Sequence, residues 1–348
     1  MITPKFWSMH SKEGDAIMKK SAKKIVSALA GSSMLVSGAV AQAEVETPVA
    51  VTEAQAAEFV KVANVEGEFA FDQNVLSPAD DVFNLFGTVL TSMCAKPAYE
   101  MENGKTDYYV NVGGKIAKSY TVDLKKSAGQ TSRTLLCACS TGAATANVNV
   151  VGVKLENVLS LAEMAEDVNT LKVKGSDGYT MSMPLKYALE KQAMVVYKVN
   201  GEDVPSGTQL WVPGTVAKYF VRDVVDVELT AEAEVPAVEQ RADELRAEVA
   251  FMNYAETTFK AGTEIMFEGY ADDCGSVVTS VEFSLDGGET WTAFATEGAS
   301  AEKWVYWNFT MQAPEAGDYQ LAVRARTENG NVSPLAAKLN FSVAQPVV

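Results

Sequence analysis

Two thiols stand two residues apart in Thr134-Leu135-Leu136-Cys137-Ala138-Cys139-Ser140-Thr141-Gly142, where an apolar run gives way to small, turn-forming residues. Leu135 and Leu136 read as the buried end of a strand and Ser140 to Gly142 as a turn, so both cysteines arrive at a strand-to-loop junction. A thiolate so placed is a soft donor for a soft metal. The plainer reading makes the two cysteines small buried apolar residues or halves of disulfides. The chain has four cysteines, Cys94, Cys137, Cys139 and Cys274, an even number that invites disulfides in an exported protein without choosing the partners. Cys137 and Cys139 share one face of a strand, and a bond between them would be strained.

Lys19, Lys20, Lys23 and Lys24 precede an apolar stretch rich in Ala, Gly and Ser from Ile25 to Val40, closed by Ala41-Gln42-Ala43. Basic region, short apolar core and small-residue cleavage site make the plan of a secretory signal. Met18 is then the expected start and residues 1–17 an upstream extension. The mature chain is expected to be exported, periplasmic or otherwise extracytoplasmic, with no membrane span after cleavage. Removing residues 1–43 takes six basic and two acidic side chains from the 29 and 45 present, leaving 23 against 43 and a formal charge of −20. Nucleic acid and anionic membrane surfaces are poor partners for such a chain. The lone histidine, His10, leaves with the leader. Ser-His-Asp and Cys-His catalysis and His-ligated metals are thereby excluded from the mature protein.

With 47% hydrophobic residues and 11 prolines, the remaining length suffices for two domains with their own cores. Residues 44–63 read as an acidic tether with helical tendency at Glu53 to Val62, 64–229 as the first domain, 230–249 as a linker rich in Ala, Glu and Arg, and 250–348 as the second domain. In the first domain, Gly113-Gly114 joins two alternating strands, 107–112 and 116–122. Lys154 to Met164 carries one apolar helical face and reads as a core helix. Strands at 171–173 and 179–183 flank Gly175-Ser176-Asp177-Gly178, Pro184 opens a short helix reaching Lys191, and strands at 194–199 and 221–229 follow. In the second domain, evenly spaced alternating strands at 264–269, 277–285, 290–295, 306–311 and 318–327 give the pattern of an immunoglobulin-like sandwich. The expected class is α+β followed by all-β.

Four blocks carry a family resemblance: Thr134-Leu135-Leu136-Cys137-Ala138, the run Gly152-Val153-Lys154-Leu155-Glu156-Asn157-Val158-Leu159, the run from Gly175-Ser176-Asp177-Gly178-Tyr179 to Pro184-Leu185, and Asn200-Gly201-Glu202-Asp203-Val204-Pro205. In this order the chain resembles the sulfite oxidase-like molybdopterin oxidoreductases. The resemblance implies a molybdopterin-binding domain, a molybdenum-molybdopterin cofactor and two-electron oxygen-atom transfer on a small substrate, with an electron-transfer partner. Cys137 matches the family's thiolate ligand, which makes it the metal-binding and catalytic residue, and Arg222 matches a lysine that could meet a cofactor phosphate. A Cys94–Cys139 disulfide would leave Cys137 for the metal.

Some positions depart from the family. The family's Asn-His-x-x-Pro-Val-Pro segment corresponds to Asp72-Gln73-Asn74-Val75-Leu76-Ser77-Pro78, which lacks the histidine, and Ser140-Thr141 stand where sulfite and nitrate enzymes carry an arginine pair. Sulfite and nitrate are therefore not the expected substrates; a neutral sulfoxide or other small organic oxide is. Lys23-Lys24 stand in place of a twin-arginine export signal. These departures define an alternative, a cofactor-free descendant acting as an extracytoplasmic binding or interaction protein. Arg133 is a weaker phosphate contact than Arg222, and Asp177 and Tyr179 read as a turn and a core contact.

The family's C-terminal domain carries a Ser-x-Asp-Gly-Gly-x-Thr-Trp hairpin like Ser284 to Trp291 and serves dimerisation. Here Asp286 is expected to bond its own turn. Trp291, Trp304, Tyr306 and Trp307 read as sandwich core or interface, with Trp304 and Tyr306 on one strand face and Trp307 on the other. A homodimer burying the first pair is the expected assembly.

Overall fold

A computed structural model of the protein describes residues 59–78, 108–140, 145–176, 178–204, 207–252 and 257–345. Cys94, Asp177, residues 141–144 and the stretch expected to be a leader lie outside these. Strand β1 (Glu68–Asp72) comes first, and the first domain then runs through β2 (Tyr109–Gly114), β3 (Tyr120–Asp123), β4 (Gln130–Ala138), β5 (Thr145–Lys154), helix α1 (Leu155–Val158), β6 (Thr170–Gly175), β7 (Thr180–Pro184), helix α2 (Leu185–Glu190), β8 (Met194–Val199), β9 (Glu202–Asp203), β10 (Gln209–Trp211) and β11 (Val224–Thr230). One sheet has the order β10-β8-β5-β4, with β9 on β8, and the other β3-β2-β11-β6-β7. The expected hairpin forms as β2–β3, paired antiparallel, but Gly113 and Gly114 are the last residues of β2, paired with β11, so the connection falls at residues 115–119 rather than at the two glycines.

β5 lies between two neighbours and buries side chains on both faces, which is why its Val-rich sequence shows no simple alternation. At Gly152 it runs so close to β8 that a β-carbon would meet the Val195 carbonyl oxygen at 2.2 Å, and the register shifts there. The core helix expected over 154–164 shrinks to the single turn of α1. Leu155, Val158 and Leu159 fill the core within that turn, and the backbone beyond pairs elsewhere: Ala117 N donates to Glu163 O and Ala165 N to Lys115 O. Leu161 is left 72% exposed.

The second domain comprises β12 (Glu248–Phe251), β13 (Thr258–Lys260), β14 (Glu264–Asp272), β15 (Val278–Ser284), β16 (Thr292–Ala295), β17 (Val305–Gln312), β18 (Gly317–Thr327) and β19 (Ala337–Ala344). Its strands form two sheets, β1-β17-β14-β12 and β13-β19-β18-β15-β16. Phe267, Phe283, Trp307, Phe309, Tyr319 and Phe341 fill its core. β17 alternates strictly, with Val305, Trp307, Phe309 and Met311 inward. As expected, Asp286 accepts bonds within its own hairpin, from Thr290 N, Thr290 Oγ1 and Ser284 Oγ. Among the described residues no helix is long and apolar enough to cross a membrane.

The domain edges are less separate than their composition implies. β1 falls in the stretch expected for the first domain, yet it pairs antiparallel with β17 of the second, and Val60 and Val62 just before it bond to Asp318 and Leu285. The linker 230–249 is a docked strap: Glu232 meets Lys172, Glu239 meets Lys218 and the Tyr219 hydroxyl, and Arg241 is buried. The aromatic face assigned to a dimer is covered within the chain. Trp304 packs in the first domain's hydrophobic cluster, with Tyr270 and Tyr306 against it, while Trp307 lies inside the sandwich. Trp304 and Trp307 are thus buried within one chain, while Tyr270 and Tyr306 stay partly exposed.

Candidate functional site

The cysteine strand β4 is the edge of its sheet. An open edge invites pairing with other chains, and here two segments cover it. Leu136 N donates to Glu302 O of the second domain at 2.6 Å, and Ala138 pairs with Val216 in the loop after β10. Arg133, at the outer part of the strand, grips both carboxylate oxygens of Glu302 at 2.7 Å and donates to the Gln192 carbonyl. Arg133 is thus committed to an inter-domain ion pair rather than to a phosphate.

These contacts enclose Cys137, which is 2% exposed, and Cys139, which is fully buried. Burial pushes the Cys137 thiol well above its ordinary pKa, the neighbouring Cys274 adds to the rise, and Arg222 opposes it. Cys137 and Arg222 are both buried and lie within reach of each other's charge. Arg222 arrives from the other side: its backbone bridges to Gln209, and a left-handed turn at Asp223 (φ 47°) is held by Ser176, whose N and Oγ both donate to Asp223. Arg222 is 8% exposed, and burial lowers its pKa while Cys137 raises it. Tyr179 serves as the expected core contact, its hydroxyl donating to Lys218 O.

Cys137 and Cys274 are buried free thiols. Cys94, the possible partner of Cys139, lies outside the described residues; Cys139 lies at the end of the packed strand β4, where its carbonyl accepts from Arg241 Nε at 3.3 Å. The segment Asp72 to Pro78, matched in the family to cofactor binding, has structural duties here. Asn147 Nδ2 donates to Gln73 O and Val75 O, Asn200 Nδ2 to Ser77 O, and Gln73 Nε2 to Ser300 O.

Residues 97–237 match the family model of the oxidoreductase molybdopterin-binding domain. All four sequence blocks lie inside this segment, and with them Cys137 and Arg222. Among solved structures, the sulfane dehydrogenase SoxCD from Paracoccus pantotrophus is similar to the chain, with a TM-score of 0.54 and 19% identity over 65% of this chain and 68% of that one. At that identity the likeness is one of fold. A PKD domain of an M14-like peptidase from a Thermoplasmatales archaeon (14% identity, 28% of this chain and 92% of that one, TM-score 0.22) and the SrpA adhesin from Streptococcus sanguinis (15% identity, 28% and 57%, TM-score 0.21) are too partial to support any inference. No curated protein matches the chain.

Two residues at the site's border, Glu302 and Arg241, escaped the sequence reading because they come from outside the molybdopterin-binding blocks, and Cys274 was noted only as a cysteine. A basic residue in an acidic strap was the one signal for Arg241. Its Nη1 meets Asp272 Oδ1 at 2.8 Å and Glu248 Oε2 at 3.5 Å. Burial and the nearby Asp272 push the Glu248 carboxyl up to about 8, against the pull of Arg241. Its side chain is 23% exposed, but Oε2 is enclosed. The folded state thus binds a proton more tightly than the unfolded state, whose carboxyl has the ordinary value of 4.5. Glu248 therefore contributes stability that is fully present below that value and declines as pH rises towards about 8. Glu248→Gln should flatten this part of the stability–pH curve, measured by urea unfolding from pH 4 to 9. An unchanged slope would show that Glu248 is not protonated in the fold.

Proposed function

We propose that the chain is an exported molybdopterin-dependent oxidoreductase that transfers two electrons and an oxygen atom to or from a small neutral substrate. The observation that supports it is the burial of Cys137 and Arg222, within reach of each other's charge, in the interior of the segment that matches the family. The donor set fits the cofactor: Cys137 offers a soft sulfur and Arg222 a buried cation suited to a phosphate. Bound there, molybdenum-molybdopterin would supply the redox and oxygen-transfer chemistry.

The chain's own residues bind, orient and exclude water. Before loading, Cys137 Sγ holds its proton because burial disfavours the thiolate; loading requires that proton to leave, and Arg222 is the adjacent charge that stabilises the anionic sulfur. Glu302, docked on the β4 edge, keeps bulk water from the strand. Ser140 and Thr141 follow the thiols where an arginine pair would bind an oxyanion, which favours a neutral oxide as substrate. In this reading the leader exports the chain and the second domain, an immunoglobulin-like sandwich, closes the site.

The burial of Cys137 also favours a second reading, a cofactor-free descendant that works as an extracytoplasmic binding protein, since a protonated thiol this enclosed packs as a core residue does. Elemental analysis of protein from its native host separates the two. The enzyme reading expects close to one molybdenum per chain, falling below a tenth in Cys137→Ser with the far-ultraviolet circular dichroism unchanged. Molybdenum well below one per chain under ample cofactor synthesis sinks it.

A further inference from the structure

We propose that Arg241, Asp272 and Glu248 form a proton-operated latch at the seam of the two domains. One proton on the carboxyl pair keeps the strap shut over the end of the cysteine strand, and its loss frees the strap. Glu248 of β12 and Asp272 of β14 are register partners in an antiparallel pair, so their side chains leave the sheet on one face. A single nitrogen of the strap reaches both: Arg241 Nη1 lies 2.8 Å from Asp272 Oδ1 and 3.5 Å from Glu248 Oε2. The same guanidinium donates through Nε to the Cys139 carbonyl at the end of β4. Strap, first domain and second domain therefore converge on one buried cation.

Charge and hydrogen bonds both leave room for one proton. The Arg241 and Asp272 side chains are fully enclosed, so two ionised carboxyls facing one guanidinium would bury an uncompensated negative charge. Arg246, the next cation along the strap, is committed to Asp273, which it meets twice at 2.8 Å. The nearby cysteines, Cys139 and Cys274, carry no positive charge in either protonation state, and burial holds the Cys274 proton in place. Among the described residues, Asp272 Oδ2 and Glu248 Oε2 are both enclosed without a hydrogen-bond donor. A carboxylic O–H supplies a donor that two carboxylates lack. Burial and the charge of Asp272 place the proton on Glu248, whose carboxyl is raised to about 8.

Once the proton leaves, the added charge draws water towards Glu248, whose side chain is 23% exposed, and the covered guanidinium meets that water by withdrawing from Asp272 and the Cys139 carbonyl. The strap's last residue before β12, Ala247, is strained for release. Its φ of 50° lies in the left-handed region that residues with a β-carbon rarely adopt. Asp273, which accepts from Ala247 N at 2.6 Å, and Ser333 Oγ, which donates to Ala247 O, hold it there. In the open form Glu248 regains its ordinary value of 4.5, below its value in the closed form. The closed form is therefore fully favoured below pH 4.5, weakens about tenfold per pH unit as pH rises towards 8, and changes no further above that. The latch does not rest on the molybdenum reading, since none of its groups is the proposed metal ligand.

The test is native-state hydrogen exchange on the full mature chain from pH 5 to 9, with rates corrected for the intrinsic chemistry of exchange. Peptides covering Glu239 to Ala247 should lose protection about tenfold per pH unit up to about pH 8 and then level off. Urea too dilute to unfold the chain should leave that exchange unchanged, whereas peptides of β17 and β18 in the sandwich core should be far better protected and should respond to urea. In Glu248→Gln, whose neutral amide stands in for the protonated acid, the strap should stay protected across the whole range. Strap protection that is flat with pH in the wild type overturns the proposal. So does strap exchange that equals the core's in size and urea response, which would make the opening global unfolding, and so does a pH dependence that survives in Glu248→Gln. The wild-type series decides the matter even where the variant does not fold, and molybdenum content, measured separately on native protein, bears on the enzyme reading alone.

Discussion

Replacing Arg241 with Met should destabilise the protein by about 3–5 kcal/mol, the cost of leaving a buried carboxylate without its partner. The Arg241 and Asp272 side chains are both fully enclosed, and the guanidinium joins the strap, the end of the cysteine strand and the second domain. Met fills much of the volume but supplies no donor, so Asp272 Oδ1 and the Cys139 carbonyl lose their bonds. Asp272 must then take up a proton or draw in water. Urea unfolding at neutral pH measures the loss, and a second variant, Arg241→Met with Asp272→Leu, should recover a good part of it because no lone charge remains. A single-variant loss under about 1 kcal/mol would show that water reaches the pair in solution, as it does at surface ion pairs.

Trp304→Ala should cost about as much, roughly 3–5 kcal/mol for a buried Trp truncated in a packed core, and the loss should appear first as separation of the domains. Trp304 belongs to the second domain by chain position, yet it packs in the first domain's cluster, stacks on Tyr270 with ring centroids 5.2 Å apart and donates its indole N–H to Val75 O at 2.9 Å. The sandwich core does not include it. The expected signature is proteolysis within the strap 230–249 at denaturant concentrations where the sandwich is still folded. A single transition retaining the wild-type midpoint would place the coupling elsewhere.

Legibility followed the range of each interaction. Strands with strict alternation, such as β17 and β18, could be located within a residue or two, because period-2 patterning is a local consequence of one buried face. β12, β13 and β19 were missed. β13 is three residues long and is specified by parallel pairing with β19, a non-local contact. The helix from Lys154 failed for a related reason: an apolar helical stripe was present, but the backbone of Glu163 and Ala165 found partners at Lys115 and Ala117. Tertiary pairing overrode a weak propensity.

By itself the sequence determined the match of residues 97–237 to the family model, the two thiols two residues apart and the acidic charge, since each depends on residue type and order alone. Only the tertiary structure decided that Cys137 and Arg222 are both buried within reach of each other's charge, that Arg133 is spent on Glu302, that β1 crosses to the second domain, and that Trp304 and Cys274 complete the first domain's core. The physical reason is that burial and pairing belong to surfaces formed by segments far apart in the chain. A strand edge has to be sealed, a charge matched and an aromatic face covered, and the residues that do so are whichever ones the fold brings alongside.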